Sequence, residues 1–253
     1  MINAARVARR IESELRQTGT PERAAAEKRY LKSDLDFIGS KLGDMRRLAK
    51  ETATEEELEH DDLIALVREL WRKPVFERRM MAVILLELHG SELGPQDLPA
   101  IETLIRESKT WALVDALAGD VVSEIALHHR IKQRLDRWSE DDDFWIRRSS
   151  LLAELKPLKA GAPFQPFADR ADALLDETEF FIRKAIGWVL REMSKKRAKE
   201  VYDWIAPRTD RASGVTMREV VKYLDSGKGA RLMRAYRAGR PVKAHGPPQI
   251  PLE

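Results

Sequence analysis

One helical segment recurs along this chain at a nearly constant interval. Its most distinctive form is FFIRKAIGWVLRE at residues 180–192, and weaker copies begin at Val75 and Phe144. Each copy opens with bulky apolar residues, continues with a basic pair and ends as an apolar helix. The second member of each basic pair occupies a matching position: Arg79, Arg148 and Lys184. A repeat of this kind without strand signals is typical of an α-solenoid, which is a stack of antiparallel helix pairs.

The spacing of the copies predicts one more between the first two. Arg79 and Arg148 are 69 residues apart, which is close to twice the 36 residues between Arg148 and Lys184. The segment WALVDAL, starting at Trp111, falls in this gap, and there Asp115 takes the position that is basic in the other copies. We therefore expect a row of basic residues, interrupted by one acid.

Equivalent positions of a solenoid line one surface, and Arg47 extends the row toward the N-terminus. A row of basic groups at repeat spacing suits a polyanion with regular phosphates, such as nucleic acid. A carboxylate in that row would repel the phosphates. Asp115 is therefore either kept for chemistry or is a solvated helix residue that pairs with a neighbouring arginine.

Composition excludes several classes of protein. The chain has no cysteine, so it forms no disulfide or thiolate metal site, and its five histidines show no ligand spacing. The longest strongly apolar run, residues 80–86, is too short to span a bilayer. The N-terminal segment is an amphipathic helix that carries arginine and lacks an apolar signal core. We expect a soluble, cytoplasmic protein.

The net charge of +3 conceals an uneven distribution. Between residues 206 and 245 there are ten Lys or Arg and only three acids. Acidic residues instead collect at 55–62 and at 140–143, where we expect them to be solvated and to face away from a polyanion. The second acidic run precedes a predicted helix, whose positive N-terminal end it complements.

Helical periodicity predicts an all-α chain of about six repeats. The predicted helices lie near 2–17, 21–32, 43–53, 56–72, 75–89, 95–107, 110–126, 129–138, 143–157, 166–175, 178–195, 197–206, 215–225 and 228–238. We predict that residues 1–239 form a single helical-repeat domain. The proline-rich segment 240–253 is predicted to be an extended tail.

Three pairs of residues four positions apart place an aromatic ring beside a row position: Trp111 with Asp115, Phe144 with Arg148, and Trp188 with Lys184. If the repeats stack in register, two indoles, a carboxylate and a guanidinium converge on one concave patch. Such a patch suits a cation or a transition state that becomes cationic. The alternative for any helical tryptophan is core packing, which we assign to Trp71, Trp138, Trp145 and Trp204.

The chain resembles the DNA alkylation repair family of HEAT-repeat glycosylases, the AlkD-like alkylpurine DNA glycosylases. The resemblance runs from about Arg23 to Trp204. Four segments carry it: KRYLKSD at 28–34, KTWALVD at 109–115, FWIRRSSLL at 144–152 and FFIRKAIGWVLRE at 180–192. One departure is Thr110, where family members often carry a second tryptophan before Trp111.

The resemblance implies a function in base excision repair. The family hydrolyses the N-glycosidic bond of cationic N3- and N7-alkylated purines in duplex DNA, without a base-flipping pocket. It implies that Asp115 is the catalytic carboxylate and that Trp111 and Trp188 flank the lesion. It also implies that Arg148 lies near the lesion-side backbone and that Tyr30 is an N-terminal contact residue.

Together with the basic row, the resemblance predicts DNA contacts at Arg47, Arg79, Arg183 and Lys184. We expect a HEAT-like monomer that acts on double-stranded DNA without a metal, a cofactor or a membrane. The competing hypothesis is a HEAT-repeat scaffold without catalytic activity that binds DNA or an acidic protein. The scaffold accounts equally well for the basic row, but not for Asp115 between two indoles.

Overall fold

The computed structural model describes residues 1–242 and confirms the predicted all-α, helical-repeat class. Within these residues the extended backbone pairs only at an isolated parallel bridge between Asp36 and Val75. Contacts divide the chain into one compact unit from Met1 to Ile131 and a second that starts at Lys132. That residues 1–239 act as one domain stays a prediction. Residues 240–242 are not helical, and the rest of the predicted tail, 243–253, lies outside the described residues.

The first unit contains eight α-helices. They are α1 (Ala4–Thr18), α2 (Pro21–Leu31), α3 (Leu42–Glu55), α4 (His60–Trp71), α5 (Phe76–Leu88), α6 (Leu98–Glu107), α7 (Trp111–Ala116) and α8 (Ser123–His128). A π-helical segment, Leu117–Val122, joins α7 to α8. Short 3-10 turns at Gly90–Glu92 and Pro95–Asp97 precede α6.

The second unit contains, within the described residues, seven α-helices. They are α9 (Lys132–Ser139), α10 (Phe144–Leu152), α11 (Leu155–Lys159), α12 (Gln165–Ala173), α13 (Phe180–Ile205), α14 (Gly214–Val220) and α15 (Ser226–Arg237). The boundary predicted between the helices 178–195 and 197–206 is confirmed, because the backbone of α13 is non-helical at Arg197 (φ −127°, ψ 40°) and two helical parts meet there at a kink. The 3-10 turns Ala206–Arg208 and Val221–Tyr223 flank α14.

Side-chain caps fix several helix starts that the sequence predicted. Thr20 Oγ1 accepts a hydrogen bond from Arg23 N at 3.3 Å, with Pro21 in the first turn of α2. Asp143 Oδ1 accepts from Trp145 N at 2.8 Å at the start of α10. The acidic run at 140–143 thus ends in a helix cap, as its position before a predicted helix indicated.

The core of the first unit is centred on α5, which is buried from Phe76 to Leu86. Trp71, Trp138 and Trp204 are buried, which confirms their assignment to packing. Trp145 is half-buried and packs against the rings of Phe144 and Phe181, at centroid distances of 4.4 and 4.8 Å. Between residues 1 and 242, no helix is both long enough and apolar enough to cross a membrane.

Candidate nucleic-acid interface and catalytic site

Helix α7 carries the two residues that the sequence most strongly linked to chemistry. Trp111 is its first residue and Asp115 follows one turn later, so both lie on one side of the helix. Both are partly exposed. Thr110 begins the helix, since its Oγ1 accepts from Ala112 N at 3.4 Å. The preceding residue, Lys109, has a φ of 55°, which turns the chain sharply between α6 and α7.

Tyr30 lies against Trp111, although 81 positions separate them in the sequence. The two rings meet edge to face, with centroids 5.8 Å apart and planes at 80°. Tyr30 is 72% exposed, so most of its ring surface is open to solvent. The first unit therefore presents two aromatic rings and one carboxylate on an accessible surface.

The π-helical segment Leu117–Val122 begins two residues after Asp115 and was not predicted from the sequence. Most of its residues are buried, so the wide turn is part of the core packing rather than a frayed end. Such segments occur mostly as single turns inside α-helices, and they are frequent at functional sites. The backbone directly after Asp115 therefore forms a wider turn than the regular α-helix that the periodicity predicted.

Arg79 does not belong to an exposed row, which is a correction to the prediction. It is only 8% exposed, and its guanidinium lies 4.9 Å above the ring of Trp71. Nη1 donates a hydrogen bond to the carbonyl oxygen of Glu107, the last residue of α6. Burial lowers the pKa of Arg79, against the opposing charge of Glu107. Arg79 thus holds the end of α6, four residues before Trp111.

Arg148 repeats this arrangement in the second unit. It is 2% exposed, and Nη1 donates to the carbonyl oxygen of Phe181 in the first turn of α13. Its guanidinium lies 5.7 Å from the centre of the Phe181 ring. The expectation that equivalent positions line one exposed surface is therefore wrong for Arg79 and Arg148. Each of these arginines ties its own helix to the backbone about one repeat further on.

The remaining basic row residues are more accessible. Arg47 is exposed, and its Nη1 donates to both carboxylate oxygens of Glu51, at 3.0 and 2.9 Å. The hydrogen bond to Glu51 raises the pKa of Arg47. Arg183 is half-buried, and its Nε donates to the carbonyl oxygen of Glu177 at 2.6 Å. Lys184 keeps 39% of its side chain exposed.

Glu219 gathers three cations around one buried carboxylate. Lys184 Nζ lies 2.5 Å from Oε1, Lys222 Nζ lies 2.9 Å from both oxygens, and Arg191 also donates to it. Burial raises the pKa of Glu219, but hydrogen bonds from Lys184 and Lys222 and the nearby positive charges outweigh burial and lower the pKa to about 2. Arg191 also pairs with Glu192 at 3.3 Å, so three cations face two carboxylates, and positive charge remains on α13 and on the turn that carries Lys222.

Trp188 is partly exposed on α13, one turn after Lys184. The residue before it, Gly187, lets α13 approach α14 closely. A Cβ atom at this position would lie 2.8 Å from Glu219 Cβ and 3.1 Å from Thr216 Cα, which is too near for any other residue without a shift. The glycine of the IGW segment therefore fixes the helix contact beside Trp188.

The family of this chain follows from its similarity to known proteins. A family model described as DNA alkylation repair enzyme matches residues 11–224, most of the chain. The chain belongs to the DNA alkylation repair enzyme family. No sequence among curated proteins matches it.

Solved structures of similar fold are consistent with the family assignment. A predicted DNA alkylation repair enzyme from Enterococcus faecalis is 25% identical, with a TM-score of 0.74, and the match covers 83% of this chain and 98% of that one. AlkD2 from Streptococcus mutans is 16% identical, with a TM-score of 0.58 over 80% and 100% of the two chains. The protein smu.31 from Streptococcus mutans UA159 is 18% identical, with a TM-score of 0.53 over 72% and 98%.

Two charged groups of this family member were missed in the sequence. Arg78, 1% exposed, pairs with Glu12 at 2.8 Å and donates to the carbonyl oxygen of Glu69 at 2.8 Å. Glu219 lies 35 residues after Lys184, so the repeat spacing itself was a signal that could have identified it. Among residues 1–242, no group of three His, Asp or Glu side chains is arranged to hold a metal ion.

Proposed function

We propose that this family member hydrolyses the N-glycosidic bond of purines carrying a cationic N3 or N7 alkyl group in duplex DNA. The observation that supports this most directly is the group formed by Asp115, Trp111 and Tyr30. A carboxylate lies one helical turn from an indole, and this indole and a second, exposed aromatic ring meet edge to face. A scaffold that only bound phosphates would gain nothing from a carboxylate on this surface, because the two would repel each other.

The chemistry of a cationic purine suits this group. The water oxygen forms a bond to C1′ as the C1′–N bond breaks, and the bonding electrons neutralise the departing base. The leaving group therefore needs no general acid, and the protein must only stabilise positive charge on the sugar. Asp115 would do this electrostatically and orient the water, which releases its extra proton to solvent after attack.

Aromatic faces would add attraction for the cationic sugar and base. A cation on an indole face contributes about 1 kcal/mol or more when both are desolvated. Trp111 and Tyr30 would supply this attraction beside Asp115. By resemblance, Trp111 and Trp188 correspond to the aromatic pair of the family. We therefore propose that Trp188 of the second unit also contacts the damaged nucleotide.

Phosphate contacts are proposed for the accessible basic residues Arg47, Arg183 and Lys184. The remaining two members of the row, Arg79 and Arg148, are proposed to position the segments that carry the site residues, because their guanidinium groups are buried against backbone carbonyls. A phosphate contact by either would require these buried bonds to break.

The open surface around Trp111 and Tyr30 suggests a test of the proposal. Recognition by charge rather than by a closed pocket should tolerate size, in contrast to enzymes that flip the base into a snug pocket. We expect release of 3-methyladenine and 7-methylguanine, and also of a bulky cationic N7 adduct, from duplex DNA. Uracil and hypoxanthine, which are neutral, should not be released.

The assay is chromatography of the free bases after incubation with duplexes that each carry one lesion. Release of uracil, or rejection of the bulky cation with release of the methyl adducts, would contradict recognition by charge. Failure to release any of the cationic bases, with normal duplex binding, would favour the scaffold hypothesis instead.

A further inference from the structure

Helix α15 is an addition to the part of the chain that the family model matches. The match ends at residue 224, and α15 spans Ser226–Arg237. Residues 226–242 contain five Lys or Arg and no acid. Arg234, Arg237 and Arg240 are exposed, and within residues 1–242 the side chains of Arg234 and Arg237 form no ion pair. This added segment therefore displays positive charge that the protein itself does not neutralise.

Contacts along its whole length hold α15 in place. At its start, Asp225 Oδ1 accepts from Lys228 N at 2.9 Å. One side is buried through Gly229, Leu232 and Ala235. Beyond its end, Thr209 Oγ1 donates to the carbonyl oxygen of Arg240 at 2.9 Å, and Val242 N donates to the carbonyl oxygen of Ala206 at 2.8 Å. The charges are thus presented from a defined position rather than from a loose tail.

The start of α15 lies at the end of a basic and aromatic strip on α13. Trp188 and Lys195 are seven residues apart, which keeps them close to one face of α13, and Tyr202 follows after the kink at Arg197. Lys195 Nζ lies 5.0 Å from the ring of Tyr223, and Lys228 Nζ lies 5.7 Å from the ring of Tyr202. At a rise of 1.5 Å per residue, Lys195 is about 10 Å along α13 from Trp188.

We propose that α15 binds backbone phosphates of duplex DNA several base pairs away from the damaged nucleotide, and contributes affinity rather than chemistry. Phosphates follow one another along each strand at about 3.4 Å, so the distance of about 10 Å between Trp188 and Lys195 alone corresponds to about three base pairs. The apolar side of α15 is already buried within the second unit, which leaves no apolar face for a membrane. The proposal rests on the proposed function only in taking the Trp188 face of α13 as the side that meets DNA.

The test compares two double variants that remove the same charge. R234Q/R237Q neutralises α15, and R137Q/K159Q neutralises two exposed residues on α9 and α11, which carry no proposed site residue. Binding to an unmodified duplex is measured by fluorescence anisotropy over a series of salt concentrations. For R234Q/R237Q we expect about tenfold weaker binding at 0.1 M salt and a slope of log K against log salt that is smaller by about two. The control should match the wild type in both.

Base release at saturating enzyme separates this proposal from the proposed function. R234Q/R237Q should release a cationic base at the wild-type single-turnover rate, because only binding is weakened. Equal affinity and equal slope for the two double variants, with melting temperatures like the wild type, would overturn the proposal. The binding comparison needs no catalysis, so it remains decisive even if the wild type releases no base.

Discussion

At the scale of single residues, the same residue type serves two purposes in this protein. Arg79 and Arg148 have the sequence spacing of a ligand-binding row, yet both are buried and bond to backbone carbonyls. Spacing alone could not distinguish a buried structural arginine from a surface arginine. A residue that ties one repeat to the next recurs with the same period as a residue that lines a surface. The partner of Trp111 was also beyond local reasoning, because the contact with Tyr30 joins distant parts of the sequence.

Substitutions at Arg79 test its structural assignment. Arg79→Met keeps the apolar stem but leaves the Glu107 carbonyl without its hydrogen bond, which should lower the free energy of unfolding by about 1–3 kcal/mol. The salt dependence of duplex binding should stay that of the wild type. Chemical denaturation and a salt titration measure the two effects. Unchanged stability, together with a slope of log K against log salt that is smaller by about one, would instead identify Arg79 as a phosphate contact.

The Tyr30 ring should assist catalysis through its contact with Trp111. Tyr30→Ala removes an edge-to-face contact of about 0.5–1.5 kcal/mol, so release of 7-methylguanine should slow by about two- to tenfold. Tyr30→Phe keeps the ring and should behave like the wild type. Single-turnover kinetics on a 7-methylguanine duplex compare the three proteins. Equal slowing by Phe and Ala would show that the hydroxyl group matters rather than the ring.

At the scale of elements, the sequence predicted most helices within a few residues, because periodicity and caps are local properties. Thr20 with Pro21 and the acidic run before α10 are examples. The misjudged element depends on tertiary packing, because the π-helical segment after Asp115 leaves the apolar pattern unchanged. The kink of α13 at Arg197, by contrast, falls where the sequence predicted a helix boundary.

The contact between α13 and α14 should depend on pH through Glu219. The pKa of Glu219 is lowered to about 2, below the value of an unfolded glutamate. Its charged form therefore stabilises the fold above the unfolded pKa, and this contribution is lost as pH falls through the folded pKa. The loss should amount to up to about 3 kcal/mol between pH 4.5 and 2.

Glu219→Gln provides the control for this pH dependence. The variant lacks the titrating carboxylate, so it should be less stable than the wild type at pH 7, and the difference should shrink toward pH 2. Urea denaturation at a series of pH values measures both proteins. A stability difference that stays constant from pH 7 to pH 2 would rule out this role for Glu219.

At the scale of the whole molecule, the chain joins a matched family region, residues 11–224, to a basic helix that the match does not include. The family and the all-α class could be read from the repeat and from a few segments. The accessible aromatic surface beside Asp115 could not, because it depends on how α2 and α7 are brought together within the first unit.

Asp115 is proposed to stabilise positive charge on the sugar, and this role separates the glycosylase from the scaffold hypothesis. The most direct measurement is single-turnover release of 7-methylguanine from duplex DNA by the variant Asp115→Asn. Asp142→Asn, which changes an exposed aspartate in the same way, is the control. Loss of one preorganised charge should slow release by about 10²–10³-fold. Duplex binding should be equal or tighter, since a group that repels phosphate is removed. If Asp115→Asn releases the base as fast as Asp142→Asn does, Asp115 does not stabilise the sugar cation.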